Sequence, residues 1–123
     1  MLSIMRIVVM LVALGFAAVA GASAEYAGKC NMTFPEQRVS GRLAAGGSVV
    51  LREWSSRCTG LFTASAGSGR PMLQEHVGGR WLTVQQGISI HVPQLGPGSY
   101  RLVVVNVTTA PAMYNVRFRL SGG

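Results

Sequence analysis

The feature that most constrains the fold of this chain is the stretch Leu95–Val107, in which a Gly-Pro-Gly turn leads directly into the longest β-like apolar run. Glycine and proline favour a tight turn, and the valines that follow favour a strand. Because successive side chains of a strand point to opposite faces, one face would carry Tyr100, Leu102 and Val104. The other face carries Val103 and Val105, which are also apolar, so the pattern predicts a central strand covered on both sides.

The rest of the chain after residue 36 divides into short segments separated by glycine-rich turns, without sustained helical periodicity. This pattern is typical of an all-β protein, and the pairs Gly46-Gly47 and Gly78-Gly79 are typical of tight turns between strands. Pro93 should end the sixth segment, because proline cannot donate a hydrogen bond to a strand ladder. Besides the stretch from Leu95, the predicted strands are Gln37–Leu43, Ser48–Trp54, Thr59–Ala64, Met72–Val77, Arg80–Val84, Ile88–Val92 and Met113–Leu120.

About eight short strands at regular spacing in one small domain predict a single antiparallel β-sandwich, similar to a jelly roll. A small closed β-barrel is the alternative arrangement of the same strands. The last segment alternates most regularly, since Tyr114, Val116, Phe118 and Leu120 share one face. That face should be buried in the core.

The N-terminal segment has the three parts of a secretory signal peptide. Arg6 precedes the uncharged run 7–22, and Ala22-Ser23-Ala24 provides a cleavage site of small residues. The uncharged run is shorter than the roughly 20 residues that span a bilayer. We therefore expect residues 1–24 to be removed, no membrane-spanning segment to remain, and residues 25–123 to form one β-sandwich domain in the periplasm or outside the cell.

The two cysteines, Cys30 and Cys58, both follow the expected cleavage site. Exported proteins enter an oxidising compartment, where a pair of cysteines usually forms a disulfide. The sequence therefore predicts a Cys30–Cys58 disulfide. The competing interpretation, a metal site, would need His76 or His91, and neither has a ligand-like spacing to the cysteines. We expect no metal and no cofactor.

Three stretches resemble the bacterial pre-peptidase C-terminal domain and related jelly-roll modules. They are the turn and strand Gly46–Leu51, the stretch Leu95–Val105, and the final strand Tyr114–Leu120. The resemblance covers residues 37–120 and implies a non-catalytic accessory module or one that contacts carbohydrate. The chain departs from those modules in having no Asp, so a calcium site is not expected to carry over.

The chain carries eleven Lys and Arg residues against four acidic residues, a net charge of +7. A basic surface favours acidic partners, although such charge also aids solubility or discourages aggregation at sheet edges. Arg38, Arg42, Arg117 and Arg119 fall on the polar faces of the first and last strands, which often neighbour each other in jelly rolls. Together they would form a basic stripe for phosphate or carboxylate. Trp81, beside a glycine turn, is the aromatic residue we expect to be partly exposed, for sugar or protein contact.

Catalysis is not expected from this sequence. No Gly-x-Ser-x-Gly motif is present, and without Asp a Ser-His-Asp triad is excluded. Nucleic-acid binding is also not expected, because the chain has no recognisable basic motif and has an export signal.

These observations predict an exported, non-catalytic binding module of the bacterial envelope or extracellular space, contacting an anionic glycan or lipid or a protein partner. The alternative is a small secreted or periplasmic inhibitor or immunity protein that blocks an enzyme or toxin. Its wedge would be the stretch Ser65–Pro71, predicted as a flexible connection. The residues expected to contact such a partner are Gly67, Ser68, Gly69 and Arg70.

Overall fold

The computed structural model describes residues 32–122, which form eight strands. All the predicted strands are confirmed, and most of them are two or three residues longer than the pattern indicated. Helices are absent from this part of the chain, and so is any helix that could span a membrane. The strands are β1 (Phe34–Leu43), β2 (Ser48–Ser56), β3 (Gly60–Ser68), β4 (Arg70–Val77), β5 (Arg80–Gln86), β6 (Ser89–Leu95), β7 (Gly98–Val105) and β8 (Ala112–Gly122).

The strands form two four-stranded antiparallel sheets, ordered β1-β8-β3-β6 and β2-β7-β4-β5. We call them the first and the second sheet. The chain crosses repeatedly between them, which is the topology of a jelly roll. The predicted sandwich is therefore confirmed, and across the described strands the sheets do not close into a barrel.

Side chains link the two sheets at their open sides. On one side, Arg52 of β2 stacks its guanidinium 4.1 Å from the ring centre of Phe34 and donates to Gln37 of β1 at 2.9 Å. On the other side, the amide oxygen of Gln85 in β5 accepts a hydrogen bond from the backbone nitrogen of His91 in β6 at 2.8 Å. These contacts join edge strands that no backbone ladder connects.

The core lies between the sheets and is centred on five aromatic side chains. The ring of Trp54 stacks on that of Phe62, with 5.4 Å between ring centres, and Phe34 meets Trp54 edge-on at 5.3 Å. Such aromatic pairs add stability beyond the area that they bury. The cluster is completed by Tyr100 and Phe118.

The stretch Leu95–Val107 contains β7, which lies between β2 and β4 in the second sheet. Tyr100, Leu102 and Val104 are buried in the core, as predicted. On the outer face Val103 is only 8% exposed. Its cross-strand neighbours are Val50 and Met72, so apolar side chains of the same sheet flank Val103 on both sides.

The predicted flexible connection Ser65–Pro71 is wrong. Strand β3 continues to Ser68, β4 begins at Arg70, and Gly69 alone joins them while the chain passes from one sheet to the other. The sixth strand also runs past Pro93 to Leu95. Because β6 is an edge strand, a missing N–H on its outer side breaks no ladder.

Gly69 is required at this sheet-to-sheet crossing, and Gly69→Ala should lower the free energy of unfolding by about 2–4 kcal/mol. The backbone φ is +87°, and an added Cβ would lie 2.8 Å from Cγ2 of Val104 and 2.9 Å from Cβ of Tyr114. Urea denaturation checks this prediction. The matched control is Gly46→Ala, at φ +71° with no atom within 4 Å, where only the backbone cost of about 1 kcal/mol is expected. Equal losses for the two variants would contradict the packing argument.

Candidate functional site

The first sheet brings all four predicted arginines to its outer surface, which we call the arginine face: Arg38, Arg42, Arg117 and Arg119. Strands β1 and β8 are neighbours, as the sequence led us to expect. Arg38 lies directly opposite Arg117 in the ladder, Arg119 follows Arg117 two residues along the same face, and Arg42 pairs with Met113. All four side chains are exposed.

The arginine face has an excess of positive charge that its own residues do not balance. Among residues 32–122, the acidic residue on this face is Glu36, which pairs with Nε of Arg38 at 3.1 Å. The other two described glutamates, Glu53 and Glu75, lie on β2 and β4 of the second sheet. Like charges directly opposite one another destabilise a ladder, so the Arg38–Arg117 pair favours a bound anion.

Hydroxyl groups of neighbouring residues accept hydrogen bonds from two of the four arginines. Nε of Arg117 donates to Oγ of Ser65 at 2.9 Å, and Nη2 of Arg119 donates to Oγ of Ser121 at 3.3 Å. Each guanidinium has five N–H donors, so most of them remain available to a ligand. A shallow depression of about 170 Å³ lies beside them. It is lined by β1, β3, β6 and β8 through Glu36, Thr63, Ser65, Ser89, His91, Arg117 and Arg119 among others.

Trp81 lies on the outer face of the second sheet, so the structure does not bring it together with the arginine face. The ring is half-buried, with the guanidinium of Arg101 4.3 Å from its centre and the His76 ring at 4.9 Å. Gln74 accepts a hydrogen bond from Nε of Arg101 at 2.8 Å and so fixes that stack. An open cleft of about 530 Å³ borders this group, lined also by Glu53, Ser55 and Ser99.

Three of the residues predicted to contact a partner line a cavity at one end of the sandwich, which we call the end cavity. It measures about 310 Å³, and Ser68, Gly69 and Arg70 form part of its wall. Gly67 is exposed at a bulge in β3. The other wall residues are mostly apolar: Leu43, Ile88, Asn106, Val107, Thr108, Ala112, Met113 and Tyr114.

Asn106, which no sequence motif indicated, organises the loops at this end. Its side-chain nitrogen donates to the carbonyl oxygens of Leu43, Ala44 and Ala110 at 3.2, 3.0 and 2.9 Å. Its oxygen accepts from the backbone nitrogen and the hydroxyl of Thr108 at 3.0 and 2.6 Å. The sequence did offer one signal, since Asn106 is the single polar residue in the apolar run Val103–Val107. A polar side chain buried among apolar residues is usually hydrogen-bonded.

Cys58 is buried just after β2, and its backbone nitrogen donates to Oγ of Ser56 at 3.0 Å. The described part of the chain has no free cysteine. Cys30 and the signal segment 1–24 lie outside the described residues, so the disulfide and the cleavage stay predictions. Within 32–122, no group of three or more His, Cys, Asp or Glu residues is placed to hold a metal ion.

Comparison with protein-family models finds no match, and comparison with curated proteins finds none either. Membership of the pre-peptidase C-terminal family therefore stays a prediction, while the β-sandwich that the resemblance implied is confirmed.

Two solved structures share the fold at low sequence identity. One is a mitogen from Yersinia pseudotuberculosis, with a TM-score of 0.54 at 15% identity, covering 71% of this chain and 85% of the mitogen. The other is PliG of Aeromonas hydrophila, a periplasmic inhibitor of g-type lysozyme, with a TM-score of 0.51 at 9% identity, covering 72% of this chain and 86% of PliG. At such identities the likeness shows a shared small all-β fold.

Proposed function

We propose that this chain is an exported, non-catalytic binding protein whose arginine face binds the phosphate or carboxylate groups of an envelope glycan or lipid. The observation that carries the proposal is the direct opposition of Arg38 and Arg117, with Arg119 on the same face and Glu36 as the acidic neighbour. Guanidinium groups bind both kinds of anion through paired N–H donors. A bound anion would also relieve the repulsion between the opposed arginines.

The place of action in this proposal is the periplasm or the extracellular space. The support is the basic, apolar and small-residue order of residues 1–24, together with cysteines at positions 30 and 58 that an oxidising compartment would join. A small sandwich with an extended charged face needs no catalytic centre to serve as a binding module.

The double variant Arg117→Ala/Arg119→Ala should bind polyanions on the order of tenfold to thirtyfold more weakly than the parent protein. Each arginine near an anionic surface contributes about 1 kcal/mol, and two such losses multiply. Binding to lipopolysaccharide and to polygalacturonate, measured by calorimetry over a range of salt concentrations, checks the prediction. The remaining binding should also depend less steeply on salt, since fewer charges interact.

The matched control is Arg57→Ala/Arg80→Ala, which removes the same charge from exposed positions outside the arginine face. This control should bind within about threefold of the parent, because only long-range attraction changes. Equal weakening in both double variants would mean that net charge, and not the arginine face, accounts for binding. Unchanged binding in the first variant would contradict the proposal outright.

An inhibitor or immunity protein is the second candidate. Its support is that Ser68 and Arg70 border an open cavity at the end of the sandwich, where an enzyme could dock. One neighbour in fold is itself a periplasmic lysozyme inhibitor. If this candidate holds, the exported protein copurifies with one stoichiometric protein partner, and Ser68→Glu/Arg70→Glu abolishes the complex. Absence of a stoichiometric partner would remove the second candidate.

A further inference from the structure

The end cavity is lined by the three most exposed large hydrophobic residues of the described chain. Ile88, Val107 and Met113 line it and are 69%, 65% and 54% exposed. The three come from different parts of the chain: the turn between β5 and β6, the loop between β7 and β8, and the start of β8. Large apolar side chains that are exposed side by side are typical of a surface that contacts another protein or a membrane.

Basic residues flank Ile88, Val107 and Met113, which we call the apolar tip, and acidic residues are distant from it. Arg70 lines the cavity, and Arg42 pairs in the ladder with Met113. No described glutamate lines the cavity. The three described glutamates lie toward the opposite ends of their strands: Glu36 near the start of β1, Glu53 opposite Arg101, and Glu75 opposite Tyr100.

We propose that this end of the sandwich docks onto an anionic lipid bilayer, with Ile88, Val107 and Met113 entering the interface and Arg42 and Arg70 contacting lipid phosphates. Apolar side chains beside arginines match the two layers of a membrane interface, acyl chains below and charged headgroups above. The charge of the tip selects an anionic lipid. The hydrogen bonds of Asn106 hold the β7–β8 loop so that the tip is preformed.

This inference goes beyond the proposed function and rests on other residues, apart from Arg42 at the border of the two surfaces. The arginine face would hold an anion flat against the first sheet, whereas docking at the tip would point one end of the strands at the membrane. The two surfaces can therefore be tested with separate variants.

The test is cosedimentation of the mature protein with vesicles of phosphatidylglycerol and phosphatidylcholine, compared with vesicles of phosphatidylcholine alone. The parent protein should bind the anionic vesicles more tightly. Ile88→Ser/Val107→Ser/Met113→Ser should lower the partition coefficient by about tenfold or more. Arg70→Ala, which leaves all four residues of the arginine face in place, should lower it by about fivefold. The matched control, Val77→Ser/Leu82→Ser, removes side chains that are 46% and 45% exposed and do not line the cavity, and should bind like the parent.

Thermal unfolding of each variant shows that it is folded, and V107W reports insertion directly through a blue shift of its fluorescence on vesicles. The proposal is overturned if the parent does not bind anionic vesicles, or if the triple serine variant binds them equally well. It is also overturned if the same residues mediate self-association or hold a protein partner in place of lipid. Arg117→Ala/Arg119→Ala should still bind vesicles through the intact tip, so weak polyanion binding by that variant does not contradict this inference. In the same way, loss of vesicle binding by the triple serine variant does not contradict anion binding at the arginine face.

Discussion

Replacing Phe62 with Ala is expected to lower the free energy of unfolding by about 3–5 kcal/mol, the usual cost of deleting a buried aromatic ring. Phe62 is 0% exposed and stacks on Trp54 with 5.4 Å between ring centres. Its strand, β3, lies between β6 and β8, so the space left by the ring would open in the core, beneath the middle of the first sheet. Domains of this size have a net stability of about 5–15 kcal/mol, so the loss would be a large fraction of the total.

Urea denaturation followed by tryptophan fluorescence measures this loss, and Leu82→Ala is the control. Leu82 is 45% exposed, so its truncation should change the free energy of unfolding by less than about 1 kcal/mol. If Phe62→Ala costs no more than the control, then the aromatic cluster is not the core of the sandwich.

The second large effect is expected from Asn106→Ala, which should cost about 3 kcal/mol or more. The substitution removes three hydrogen bonds to the carbonyl oxygens of Leu43, Ala44 and Ala110 and two from Thr108, and each hydrogen bond contributes about 0.5–1.5 kcal/mol. The carbonyls of Ala44 and Ala110 each keep one other donor, the backbone nitrogen of Gly47 and the hydroxyl of Thr108. Asn106 itself is only 4% exposed, so its side chain makes these hydrogen bonds out of contact with water. The loss should be concentrated at the end cavity.

Chemical denaturation gives the total cost, and amide hydrogen exchange locates it. Exchange should accelerate at Gly46 and Thr108, whose backbone nitrogens are bonded to the carbonyl and the side chain of Asn106. The control is Asn115→Ala, on the exposed outer face of β8, which should change stability by about 0.5 kcal/mol or less. Uniform acceleration across both sheets would contradict a local role for Asn106.

The strands and their faces could be predicted because their signals are local. The alternation along β8 and the paired glycines at positions 46–47 and 78–79 depend only on residues next to one another in the chain. The connection between β3 and β4 could not be predicted in the same way. Serine and glycine are typical of loops, but Gly69 is needed because Val104 and Tyr114, distant in the sequence, occupy the space that a Cβ at this position would enter.

Only one part of the candidate site could be predicted from the sequence, the neighbouring arginines of one strand pair. Placing Arg38 beside Arg117 required the pairing of β1 with β8, which the jelly-roll expectation supplied. Trp81 lies on the second sheet, away from the arginines. The alternation of residues along one strand does not indicate to which sheet the strand belongs. The end cavity collects residues from four separate parts of the chain, so no short pattern could have indicated it.

A titration of the ¹⁵N-labelled protein with a short oligogalacturonate shows, residue by residue, whether the arginine face binds anions. The amide resonances of Arg38, Arg117 and Arg119, together with that of Ser65, should shift in proportion to bound ligand, and raising the salt concentration should reverse the shifts. Shifts centred instead on His76 and Trp81, or none at ligand concentrations that saturate binding measured by calorimetry, would contradict the claim.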